Sequence, residues 1–267
     1  MDSTLIKGLT MLEVLAKSPG PRGISDLAGE LQLTKSNVHR TLQTLVAAGY
    51  VRPSEGTGTY ECTLKLFELA SSVMSRLDVP SAADSYMHAL ASETNETVHL
   101  AMLDGLEVIY VHKIESQQPV RAYSAIGGRA PAHCVATGKA LLAYQDGGGP
   151  TGLPDRLPRH TGRTITGRDE LLGEFASVRR QGYAINRGEW RESVCGLAAI
   201  VLDAAGRPTA AIGISGPAER LRVTALRRYA PVVVDAARSL SERLGCTRYD
   251  QVVREYAGGA KKPNKGG

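Results

Sequence analysis

The sequence predicts an α+β fold: a small N-terminal unit of three helices and a hairpin, a connecting helix, and a larger unit in which an antiparallel sheet is flanked by helices. Three observations carry this. Residues 23–45 read as two short helices with a tight break between them, and a strand, a turn and a second strand follow at once. Beyond residue 80, apolar runs of strand length are separated by turn residues, with helical runs before, among and after them. No apolar stretch nears the roughly 20 residues of a membrane-spanning helix.

The first helix is expected over 5–17, with Leu5, Leu9, Leu12 and Leu15 inward. Ser25 and Thr34 are placed to cap the next two helices by accepting a hydrogen bond from a free first-turn N–H. In the third helix Val38, Leu42, Leu45 and Val46 share one side, so Ser36, Arg40 and Gln43 point the opposite way, with His39 at the rim. Gly49 stops it. Residues 50–53 and 59–64 then read as strands about a turn at 54–58, a wing. From Leu31 to Pro53 there is no Asp or Glu, while Lys35, Arg40 and Arg52 are cationic, the balance of a surface that meets phosphates. The pattern is that of a winged helix-turn-helix. Its partner would be double-stranded operator DNA, with candidate contacts at Ser25, Thr34, Lys35, Ser36, Asn37, His39, Arg40, Gln43 and the wing residue Arg52.

Leu66, Leu69, Val73 and Leu77 continue an apolar stripe along a linker helix, either a dimer contact or packing within its own domain. A helix from Ser81 leads to a hairpin, 97–103 and 108–114 about Asp104-Gly105, with a third strand at 119–123. A helix over 135–144 and a Gly- and Pro-rich loop follow. Thr166-Gly167-Arg168-Asp169 opens the next helix as a capping-box variant, with Leu171, Leu172, Phe175 and Val178 inward and Gly182 as its stop. Strands at 183–186, 194–202 and 209–215 and a long helix over 224–244 complete the unit. The domains are thus expected at 1–65 (winged helix-turn-helix), 66–79 (linker helix) and 80–248 (sensor-like), with 249–267 a largely disordered basic tail.

Composition narrows the function. The net charge is +5, yet Met1 to Lys65 holds seven Lys and Arg against six Asp and Glu, so whole-chain charge adds little to the motif. With no signal-like start and no spanning segment, a cytoplasmic protein that meets no membrane is expected. Cys62, Cys134, Cys195 and Cys246 lie far apart and read as free thiols. The rival class is a cysteine-dependent enzyme, with Cys134 beside His133 or Cys195 near Glu192 as nucleophile and base; adjacency in sequence does not make that geometry. A zinc site from His133, Cys134 and Cys195 matches no standard ligand spacing, so no metal and no cofactor are expected.

Three segments in order resemble the IclR family of bacterial transcriptional regulators. They are Leu33-Thr34-Lys35-Ser36-Asn37-Val38-His39-Arg40-Thr41-Leu42 through Ala48-Gly49-Tyr50-Val51, Pro131-Ala132-His133 through Thr137-Gly138-Lys139-Ala140-Leu141-Leu142-Ala143, and Arg179-Arg180-Gln181-Gly182-Tyr183-Ala184 through Ile212-Gly213-Ile214-Ser215-Gly216-Pro217. The resemblance implies a GAF-like C-terminal domain that binds a small effector, in a homodimer or homotetramer. It places the effector pocket at Ala122, Ala130, Ala136, Thr137, Asn186, Cys195, Gly196, Gly213 and Ser215. Asn186 stands where the family often has an acid, and Gly196 and Gly213 where Cys or Ser occur, which implies room for a ligand bulkier than a two- or three-carbon acid. The free N–H groups opening the 135–144 helix suit an anion, and Thr137 adds a hydroxyl. On the neighbouring loop Arg187 and Arg191 either clamp a carboxylate or are solvated, and Trp190 offers a stacking face. The implied function is a regulator controlled by a small carboxylic acid, an aromatic one included: a repressor of a neighbouring catabolic operon, or alternatively an activator.

Overall fold

The computed structural model describes residues 3–74, 78–122, 124–145, 149–150 and 152–258. The chain divides into two compact units, Met1–Asp78 and Val79–Gly267. Among the described residues no helix is long and apolar enough to cross a membrane.

The first unit runs α1 (Ser3–Lys17), β1 (Arg22–Gly23), α2 (Ile24–Leu31), α3 (Lys35–Ala47), β2 (Val51–Pro53), β3 (Thr59–Cys62) and α4 (Lys65–Met74). Its core is Met11, Leu15, Leu27, Ala28, Val38, Leu42, Val51 and Tyr60. The inward face of α1 is therefore Met11 and Leu15 with Gly8 half-buried, whereas Leu5 and Leu9, expected inside, are 61% and 53% exposed. The buried stripe is rotated by a fraction of a turn from the expected one. The break between α2 and α3 is made by Gln32 in the left-handed conformation (φ 53°), with the Leu33 N–H donating to the Ala28 carbonyl at 3.0 Å. Thr34 caps α3 as expected, its Oγ1 accepting from the Asn37 N–H at 3.3 Å. Ser25 caps nothing: α2 opens at Gly23 without a side-chain bond, because Arg22 and Gly23 are already a strand paired with Tyr60 and Thr59. At the far end of α3, Gly49 (φ 78°) and Tyr50 donate to the carbonyls of Val46 and Leu45, the bonding of a Schellman stop. Arg52 faces Glu61 across the β2–β3 wing. Of the linker stripe, Leu66 is half-buried and Leu69 exposed; Leu77 and the Val73 side chain lie outside the described residues.

The second unit runs α5 (Asp78–Thr94), β4 (Thr97–Asp104), β5 (Glu107–Ile114), β6 (Arg129–Pro131), a 3-10 turn (Ala132–Cys134), α6 (Ala136–Ala143), α7 (Arg168–Gln181), β7 (Ala184–Arg187), β8 (Val194–Leu202), β9 (Pro208–Pro217), α8 (Val223–Arg243) and α9 (Tyr249–Ala257). Six antiparallel strands form a sheet in the order β6-β5-β4-β9-β8-β7. Two sequence-local halves thus meet along one seam, where Thr97 pairs with Ser215 and His99 with Gly213. From Cys195 to Leu202 β8 is buried throughout, since α6 and α8 both pack on it, which is why it reads as an unbroken apolar run.

Three expectations are corrected here. Residues 119–122 are not a strand: the edge of β5 is taken by β6, with Val108 opposite Ala130, and Tyr123 lies outside the described residues. The 166–169 capping box does not form, because α7 opens at Gly167 without a side-chain cap while the Thr166 carbonyl holds the Leu157 N–H. Nor is 249–267 a tail from its start. Tyr249 and Val252 are buried in α9, the Tyr249 hydroxyl donates to the Ile200 carbonyl at 3.0 Å, and Tyr256 meets Tyr144 edge-on at 5.1 Å. Residues 259–267 lie outside the described residues.

Candidate functional site

On α3, the buried Val38 and Leu42 turn Lys35, Ser36, His39, Arg40 and Gln43 to the surface. Asn37 is half-buried; its Oδ1 accepts from Arg40 Nη2 at 3.1 Å, which steadies the guanidinium and leaves other donors free to reach out. The Thr34 hydroxyl lies 3.1 Å from that of Ser36. Ser25 is exposed on α2, and Arg52 is tied to Glu61 at 2.8 Å, so it meets a phosphate only by leaving that exposed pair. The face offers cationic and amide donors with no carboxylate among them, the chemistry that phosphates and base edges accept.

In the second unit a cavity opens at the seam. It leaves about 50 Å³ for the centre of a water molecule, against the ~10–15 Å³ that one water needs. Of the expected wall, Ala122, Ala136, Thr137, Asn186, Trp190, Gly196, Gly213 and Ser215 line it. Ala130, Arg187 and Cys195 do not. Ala130 packs in the core of β6, Arg187 is exposed and 3.7 Å from Glu174, and Cys195 alternates to the other face of β8 from Gly196. Asn186 is fully engaged: its Oδ1 accepts from the N–H groups of Gly188 and Glu189 at 3.0 and 2.9 Å and its Nδ2 reaches the Val194 carbonyl at 3.4 Å, closing the 186–194 loop. Arg191 contributes to the wall and lies over the Trp190 ring at 4.8 Å. The expected gain in room is not realised, since a Cβ at Gly213 would fall on the backbone of Leu197 and Ala198; that glycine serves strand packing.

The residues that sequence reasoning missed are chiefly His99 and Tyr110, with Ser124, Val135, Val194, Leu197 and Ile214. His99 Nε2 lies 2.6 Å from Ser215 Oγ across the seam, its Nδ1 3.3 Å from Ser124 Oγ, and its ring 4.9 Å from that of Tyr110. Burial, helped by the nearby Lys113 ammonium, holds the imidazole down at about 4. Burial likewise pushes the Tyr110 phenol up to about 12, against a hydrogen bond with Thr137 and the field of Arg191. At neutral pH these are uncharged groups, a phenol, an imidazole and hydroxyls, beside the first turn of α6. Such a site can hold a small molecule that presents hydrogen-bond acceptors.

A stability test follows from His99. Unfolded, it takes a proton near 6.5; folded, only near 4, so between those values the unfolded chain binds the extra proton. Stability from this group is full above about pH 6.5 and falls as the pH drops towards 4, by about 3 kcal/mol. Urea denaturation at pH 7 and 4.5 should show the wild type losing about 2 to 3 kcal/mol more than His99→Gln; equal losses would mean that the imidazole is solvated.

The cysteines do not make an active site. Burial pushes the Cys134 thiol up to about 12 and raises that of Cys195, so neither carries the thiolate that nucleophilic attack requires. His133 Nε2 is engaged with the Pro158 carbonyl at 3.1 Å.

Comparison with known proteins matches residues 4–55 to the IclR helix-turn-helix domain and residues 71–242 to the domain described as bacterial transcriptional regulator IclR C-terminal. The chain is 35% identical over 249 residues to the HTH-type transcriptional regulator KdgR of Escherichia coli K12, covering 92% of this chain and 94% of that protein. It is 32% identical over 243 residues to the HTH-type transcriptional repressor AllR of Salmonella paratyphi A, covering 90% and 89%. The crystal structure of the Thermotoga maritima IclR superposes with a TM-score of 0.74 at 27% identity, covering 92% of this chain and 100% of that one.

Proposed function

This chain belongs to the IclR family of bacterial transcriptional regulators, and from that premise we propose that it represses a neighbouring catabolic operon and leaves its operator when a small organic acid binds. The family and the relatives are DNA-binding regulators with an effector domain, not enzymes. Repression is supported by the Salmonella relative, a repressor by name. The protein then works in the cytoplasm, where its DNA is.

The observation that carries the reading is the exposed, carboxylate-free face of α3, Lys35, Ser36, His39, Arg40 and Gln43, set opposite Val38 and Leu42. Pairing with a second copy is supported by Leu5, Ile6 and Leu9 on α1 and Leu64, Phe67 and Leu69 at α4, six apolar side chains between 43% and 83% exposed in one unit. A dimer, or a tetramer of dimers, presents two reading helices to half-sites one helical turn or a multiple apart. Footprinting and band shifts on the DNA upstream of the flanking genes test both points. Arg40→Ala should cost about 1 to 3 kcal/mol of operator affinity, and the wild-type footprint should be a near-palindrome. Unchanged affinity for Arg40→Ala and Gln43→Ala together, or protection of a single half-site, would overturn this assignment.

For the effector, the support is a small cavity lined by uncharged hydroxyl, phenol and imidazole groups with the Arg191 cation in its wall and the first turn of α6 at its edge, which favours an anion of few atoms. Thr137→Val keeps the volume and removes one hydroxyl. If that hydroxyl meets a carboxylate, calorimetry against a panel of aliphatic and aromatic acids should register a loss of about 1.5 to 3 kcal/mol, with effector-free operator affinity barely altered. A neutral effector, or an acid held equally by both proteins, would place the site elsewhere.

A further inference from the structure

Away from the cavity, His133, Cys134 and His160 bring one donor atom each to within 4.8 Å of one another. His133 is 3% exposed and Cys134 fully buried, both on the 3-10 turn before α6, while His160 stands exposed on the loop before α7. We propose that these three residues bind one thiophilic transition-metal ion of the zinc class, with an open fourth position on the exposed side.

The chemistry of the donor set selects the ion. Two imidazoles and a thiolate are poor ligands for magnesium or calcium and good ones for zinc, cobalt or copper, the ion displacing the Cys134 thiol proton to solvent as it binds. A tetrahedral zinc ion holds its nitrogen and sulfur donors about 3.3 to 3.8 Å apart, so closing on an ion asks for about 1 Å of movement, which the exposed His160 side chain can make. The orientation of His133 is the second observation. Its Nε2 is 3.1 Å from the Pro158 carbonyl, an acceptor only, so Nε2 carries the proton and the Nδ1 lone pair is left for a metal. The loop that carries His160 is itself bracketed, since the N–H groups of His160 and Thr161 donate to Thr164 Oγ1 at 3.0 and 2.8 Å and that hydroxyl donates to the Glu189 carbonyl at 2.7 Å. Among the described residues no other group of three or more His, Cys, Asp or Glu gathers in this way. Cys195, the partner considered from sequence alone, is not part of it.

Position gives the site a consequence. Cys134 directly precedes Val135, the N-cap of α6, and Val135, Ala136 and Thr137 are cavity wall. A bound ion would fix the entry to that helix.

The test uses the full-length reduced protein, stripped with a chelator and titrated with Co²⁺ and then Zn²⁺ alone. One ion per chain should bind, with a sulfur-to-cobalt charge-transfer band in the near ultraviolet. Cys134→Ser should abolish the band and His160→Ala should weaken binding by at least about tenfold, whereas Cys62→Ser should change neither. His160 is exposed, so its variant keeps the fold and the test stands even where Cys134→Ser does not. Absence of stoichiometric binding, or binding unaltered in His160→Ala, would overturn the site, and a band lost in Cys62→Ser instead would assign the ion to another thiol.

Discussion

Lys139→Ala is expected to lower stability by about 3 to 5 kcal/mol, the cost of breaking one side of a buried ion pair. The ammonium is completely buried, 2.9 and 2.8 Å from the two oxygens of Glu189 and 3.0 Å from Glu174 Oε1. Burial already raises the Glu189 carboxyl above its ordinary range, and Lys139 is the main group opposing that rise. Without the lysine the carboxylate is stranded beneath the loop that Asn186 closes. The sign of a pH effect follows: a folded-state value lifted further above the unfolded one lets the variant regain stability as the pH falls and Glu189 takes its proton. Urea denaturation at pH 7 and 5 should show Lys139→Ala recovering part of its deficit, and Lys139→Met with Glu189→Gln should cost less than Lys139→Ala alone. A loss within about 0.5 kcal/mol at pH 7 would mean that the pair contributes nothing.

Gly138→Ala sets two effects of opposite sign against each other. In the interior of a helix alanine is favoured over glycine by about 1 kcal/mol. At this position, however, the added methyl would fall on the backbone of Ala132, in the 3-10 turn that packs against α6. Backbone cannot rotate away as a side chain can, so the net result should be a loss of about 3 kcal/mol, at the upper end of overpacking costs. Gly173, on α7, has nothing within 4 Å of the same methyl, so Gly173→Ala should stabilise by about 0.5 to 1 kcal/mol in the same assay. If both variants gained stability, the close approach of α6 to the turn would be refuted.

What was legible in the sequence is what local chemistry decides. Thr34 caps α3, Val38 and Leu42 face inward, Gly49 and Gly182 stop their helices, and Asp104-Gly105 turns a hairpin, because each depends on neighbours a few residues away. The misreadings depend on distant partners. Ser25 lost its cap to a pairing between Arg22 and Tyr60, and the strand placed at 119–123 lost its edge to 129–131. The helix at 249–257 differs in kind: Tyr249, Val252, Val253 and Tyr256 carry a helical stripe, masked by the Gly- and Lys-rich residues that follow. His99 and Tyr110 interrupt the apolar stretches of β4 and β5, a signal that the sequence does carry. His160 had none, since only the loop path brings it to His133 across 27 positions.

The seam between β4 and β9 has a temporal meaning. Each half of the sheet can pair within itself while the chain is short, but His99 meets Gly213 and Ser215 only after a loop of more than 100 residues closes, the slowest kind of contact to form. A chain still emerging from the ribosome at residue 200 therefore lacks this cavity, and with it the effector site proposed above. On that proposal, a ligand present during synthesis would act as a clasp on the last closure, drawing late-folding chains towards the native state by mass action.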